Sequence, residues 1–105
     1  MTDKVVLAYS GGSMGETEED QAAAMEEWGL WFAGLGEAIV DMGAPFGPAT
    51  TIAPDGETSE GGHSALTGYS IISAGDLDEA TGHAKGCPVL KTGGTVEVYE
   101  AMPIG

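Results

Sequence analysis

The chain has no arginine, only three lysines and a single cysteine, Cys87, and each scarcity excludes something. So few basic side chains can neutralise little phosphate or anionic lipid, and neither nucleic acid nor a membrane surface is an expected partner. One cysteine excludes an intrachain disulfide. The opening MTDKVVLAYS has neither the basic start nor the long apolar run of a secretory signal, and a reducing, cytoplasmic setting is expected. Glycine or charge interrupts every apolar run well short of the roughly 20 residues that span a bilayer.

What is present is acid and glycine. Seventeen acidic residues bring the formal charge to -14, as expected of a solvated, soluble surface, and 18 glycines cluster at element boundaries. The 105 residues are read as one domain spanning 1–105, long enough to bury roughly two-thirds of the surface of the unfolded chain.

Lys4 to Ser10 (KVVLAYS) reads as a strand with Val5, Leu7 and Tyr9 on one side and Val6 and Ala8 on the other. The following GGSMGE fits no phosphate-binding glycine motif and is a plain loop. Thr17 with Asp20 three residues on opens a helix whose apolar stripe is Met25, Trp28, Phe32, Leu35 and Ile39, ending or kinking by Gly43. Ala44 to Pro48 is a rigid loop, Ala49 to Ala53 a second strand, and Pro54-Asp55-Gly56-Glu57 a tight turn before a polar loop, Thr58 to His63. Leu66 to Ala74 is the third strand. Asp76 with Glu79 opens a second helix carrying Leu77, Ala80 and Ala84 inward, stopped at Gly86, and Thr95 to Glu100 is the last strand, Val96 and Val98 inward.

The expected fold class is therefore α+β, in the ferredoxin-like order βαββαβ: a four-stranded antiparallel sheet with two helices on one face. The other face is left bare. Leu7 or Val6, Ile71 or Ile72 and Val96 contribute to it, and the economical cover is a second copy of the same sheet, so the expected partner is the chain itself, as a homodimer.

The stretch GYSIISAGDLDEATGHAKGCPVLKTGGTVEV, with IVDMGAPFGP and the upstream helix bearing Trp28, resembles the YCII-related proteins, also called the DGPF-domain group. The likeness covers nearly the whole chain. Its specific parts are the GYSI strand, the LDEA helix start, the GCP stop and the closing VEV strand. The resemblance implies a dimeric α+β barrel, two sheets packed face to face, with a cleft between sheet and helices. Relatives on this broad fold include cofactor-free monooxygenases, muconolactone isomerase-like enzymes and a dehydrochlorinase with a His-Asp pair. Related chains often read GCPHL where this one has Gly86-Cys87-Pro88-Val89-Leu90, and the position of His83 is commonly apolar. The family's site therefore does not carry over residue by residue.

No motif identifies a reaction, so whether the protein is an enzyme stays open. Two histidines are the candidates for acid–base catalysis. His63 lies in the loop GGHSAL, with Ser64 or Tyr69 placed to orient a ligand, or is an exposed loop residue. His83 stands four before Cys87 and shares a face with it if the helix runs through Gly86; the alternative is a buried, inert cysteine. Two such residues do not complete a metal site, and no metal or cofactor is expected. Trp31 lies about 60° off the apolar stripe and lines a pocket or the dimer contact, while Glu97 faces solvent or a cleft. The expectation is a small dimer binding a compact, partly apolar organic molecule between sheet and helices, with cofactor-free acid–base chemistry by His63 or His83. The competing expectation is a non-catalytic protein-interaction or regulatory module.

Overall fold

Residues 4–13, 15–62 and 64–102 are described by a computed structural model. Its elements are β1 (Lys4–Ser10), α1 (Glu18–Leu35), β2 (Ile39–Pro45), β3 (Thr50–Ile52), β4 (Thr58–Glu60), β5 (Leu66–Ser73), α2 (Leu77–Ala84) and β6 (Thr95–Glu100). The class is α+β: two α-helices, one four-stranded antiparallel sheet in the order β2-β5-β1-β6, and a separate two-stranded sheet of β3 and β4.

β1 holds the centre because its β-branched and aromatic residues are covered on both edges and on one face. It pairs antiparallel with β5, Leu7 opposite Ser70, and with β6, Leu7 opposite Val98. The period of two then sends Val5, Leu7, Tyr9, Ser70 and Ile72 to one face. Val5, Leu7 and Ile72 have no exposed surface. Ala80 and Ala84 from α2 join this cluster, and Trp28, Trp31 and Leu35 from α1 pack against it, with Val96 and Val98. Removing a Leu or Ile side chain from such a site typically costs about 2–5 kcal/mol.

Both helix starts follow the capping rule. Thr17 Oγ1 accepts from the Asp20 amide at 3.0 Å and Asp76 Oδ1 from the Glu79 amide at 2.8 Å, while Glu79 Oε2 accepts from the Gly75 amide. The first helix ends earlier than the sequence reading placed it. Gly36, at φ 55°, caps α1 with its amide bonded to the Phe32 carbonyl, a short 3-10 turn follows, and the chain becomes β2 from Ile39. The β-branched pair Ile39-Val40 prefers the pleated surface of the sheet edge to a further helical turn.

This displaces the expected second strand. Residues 50–52 do not enter the large sheet; they pair with β4 in a hairpin turned by Asp55-Gly56, where Gly56 adopts φ +91° and Ala53 N donates to Glu57 O at 2.7 Å. Every residue from 52 to 62 is exposed. With this hairpin the molecule measures 44 × 43 × 18 Å, and its radius of gyration is 15.1 Å against about 13 Å for a compact chain of this length.

Candidate functional site

β2 crosses β5 with two irregularities, one between Ile39 and Asp41 and one between Asp41 and Ala44. Gly43 makes the second possible: it sits at φ +77°, and a Cβ there would lie 1.7 Å from the Tyr69 carbonyl oxygen. Asp41 Oδ1 accepts from the Gly43 amide at 2.8 Å and holds the kink. Beneath it runs a polar string in an otherwise apolar layer. Tyr9 OH donates to Ser70 Oγ and Ser70 Oγ donates to the Met42 carbonyl, each at 2.7 Å.

That bulge brings Met42 to the same groove as Ile39. The opposite wall is α1, which offers Met25, Trp28 and Phe32, with Gly29 and Ala33 between them. The open groove has a volume of about 490 Å³, comparable to a compact organic molecule, and only apolar residues and a glycine line it. Met25 is 66% exposed and Met42 58%, so the walls are open to solvent. Tyr9 stacks edge-on against Trp28 with ring centroids 5.2 Å apart, and Trp28 contacts Phe32, so the inner aromatic wall is braced by the core.

The sequence candidates fall into separate places. Trp31 points toward α2: its indole N–H donates to the His83 carbonyl at 3.1 Å and it packs on the core cluster, so its role is to tie the helices together. His83 is half-buried. α2 ends at Ala84, before Gly86, so His83 and Cys87 do not share a helix face. Cys87 is 1% exposed, and burial pushes its thiol up to about 11, against the opposing pull of a Val89 backbone bond and the Tyr9 hydroxyl. Such a thiol stays protonated and behaves as a small apolar residue. Burial likewise raises the Tyr9 phenol.

Tyr69 and Glu97 lie on the sheet's other face. Both sit opposite Ala8, one on each side, and the next row places Ile71 and Tyr99 opposite Val6. Val6 and Ile71 therefore belong to the uncovered face, whereas Leu7, Ile72 and Val96 lie under the helices. Tyr69 stacks on Phe46 at 5.7 Å and its hydroxyl reaches Asp41 Oδ2 at 3.4 Å. Tyr99 OH donates to Glu97 Oε2 at 2.9 Å; this bond and the carboxylate's charge raise the Tyr99 phenol. Ser64 is exposed and lines a second cleft, of about 540 Å³, with Gly62, Ala65 and Leu66 on its side and Phe46 to Thr51 on the other. His63 lies outside the described residues.

Among the described residues no three His, Cys, Asp or Glu side chains converge as a metal-binding group, and no helix is long and apolar enough to cross a membrane. Sequence reasoning placed Met25 and Phe32 on a core-facing stripe and missed Met42 altogether. The signal that would have found the groove is the run Ile39-Val40 after Gly36, which marks a strand lying beside the helix. No protein-family model matches the chain, and a search of curated proteins finds no match.

Proposed function

We propose that this protein is a YCII-related homodimer that binds a compact organic ligand in the groove between α1 and β2. The observation carrying the proposal is that groove: about 490 Å³, wholly apolar in its side chains, with one wall on a kinked strand whose backbone is hydrogen-bonded to Asp41 and Ser70. The strand order β2-β5-β1-β6 supports a ferredoxin-like sheet into which the β3–β4 hairpin is inserted. The half-buried Val6 and Ile71 beside Tyr69 supply the apolar face that a second sheet would cover, as in a dimeric α+β barrel. His83 does not line this groove, because α2 meets α1 through Trp31, so acid–base chemistry there would act apart from the bound ligand.

Titration with Nile red, a neutral apolar dye, tests the groove. Saturable binding of one dye per chain with quenching of tryptophan emission is expected; no saturable binding overturns the proposal. Light scattering at micromolar concentration should give the mass of two chains, reduced to one by Val6→Lys, and a monomeric parent removes the dimer. The second reading, a non-catalytic interaction module, is favoured by the β3–β4 hairpin, which presents Ile52 at 69% exposure away from the large sheet.

A further inference from the structure

The groove has apolar walls and acidic surroundings, and we infer that the ligand it takes is a hydrophobic organic cation, an amine or onium group on an aromatic or alkyl body. This rests on the groove reading above and names the chemical class of its ligand.

The walls suit such a body. Trp28 and Phe32 offer π faces that attract cations, and Met25 and Met42 offer polarizable thioethers that adapt to varied shapes. The surroundings supply the charge. On α1, helical spacing sets Glu18 in one row with Ala22, Met25 and Gly29, and puts Glu26 beside that row, while Glu37 stands in the turn that leads into β2. All three glutamates are exposed. Neither α1 nor β2 contains a lysine. Lys91 lies 3.7 Å from Glu27, which is about 200° round the helix from Met25, Lys85 caps α2, and Lys4, at the start of β1, sits opposite Ser73 of β5. An anionic ligand would meet only like charge, a neutral one apolar area alone, and a cation both apolar area and opposite charge.

Tetraphenylphosphonium and tetraphenylborate have one shape and opposite charges, so titrating the full chain with each isolates the charge. Tetraphenylphosphonium is expected to bind one per chain, quench tryptophan emission, and bind at least about tenfold tighter than tetraphenylborate, with an affinity that falls as salt is raised. The Glu18→Gln, Glu26→Gln double variant should weaken tetraphenylphosphonium several-fold and leave Nile red unchanged. At Gly29 an added Cβ meets nothing within 4 Å and leucine is a stronger helix former than glycine, so Gly29→Leu should keep the fold and block both probes with a side chain in the groove. If both tetraphenyl ions bind alike while Nile red binds, the cation inference falls and the groove reading stands. If no probe binds, both fall. Tetraphenylphosphonium binding that survives Gly29→Leu places the cation elsewhere on the acidic surface, and Gly29→Leu that halves the mass gives the groove to a second copy; either result overturns the inference.

Discussion

The Tyr9 hydroxyl donates to Ser70 Oγ at 2.7 Å, joining residues 61 positions apart, and Ser70 passes a bond of equal length to the Met42 carbonyl. Three strands, β1, β5 and β2, are linked by one string of two hydrogen bonds on the helix-covered face. Ser70 is 1% exposed and acts as both acceptor and donor. Ser70→Ala takes a partner from each neighbour and is expected to cost about 1–3 kcal/mol, whereas Tyr9→Phe removes one donor and leaves Ser70 bonded to Met42, at about 0.5–1.5 kcal/mol. Urea unfolding of both variants checks the order. Equal costs would show that water replaces the lost partners.

Cys87 gives a pH dependence of definite sign. Its thiol rises from 9.0 to about 11 on burial, so the folded chain keeps a proton that the unfolded chain releases. The resulting stabilisation is fully present below about pH 9 and is lost as pH rises through 11. Melting temperature should fall across that window, less steeply in Cys87→Ala, with Tyr9 adding to the fall in the same direction. At neutral pH the native thiol should resist iodoacetamide and react once urea unfolds the chain. Rapid native alkylation would contradict its burial.

Two glycines provide a matched pair. Gly43 combines φ +77° with a backbone oxygen 1.7 Å from where a Cβ would be, so Gly43→Ala should cost at least about 4 kcal/mol and abolish the folded circular-dichroism signal. Gly34, inside α1, has nothing within 4 Å, and Gly34→Ala should add about 0.5–1 kcal/mol. A well-folded Gly43→Ala protein would show that β2 does not cross β5 as described.

Much of the fold was legible because its signals are local. The alternation in KVVLAYS separated Val5, Leu7 and Tyr9 from Val6 and Ala8 without saying which set the helices cover, and Thr17 and Asp76 marked the helix starts through bonds spanning three residues. The break between α1 and β2 was misplaced because Ile39 continues the helical spacing of Leu35, and only the backbone of Gly36 breaks it. The hairpin was half legible: Asp55-Gly56 announced its turn, but β4, the polar run Thr58-Ser59-Glu60, carries no apolar alternation. Of the candidate residues, Ser64 and Tyr69 were chosen by type, while spacing set Trp31 off the apolar stripe and Glu97 against the valines; neither says what packs against that side of the helix or sheet. The run Ile39-Val40 after Gly36 marks a strand beside the helix, but where that strand kinks is set by the Gly43 backbone against Tyr69, which residue spacing does not encode.

The central position of β1 has a consequence for how the molecule is made. Synthesis begins at the N-terminus, yet Lys4 must wait for Ser73 and Val5 for Glu100 before the strand has neighbours on either side. Closing those long loops comes before the contacts that reward it, which slows folding. Through that interval the run Val5-Val6-Leu7 stays uncovered on the nascent chain, so the strand that ends up most protected waits longest for its neighbours.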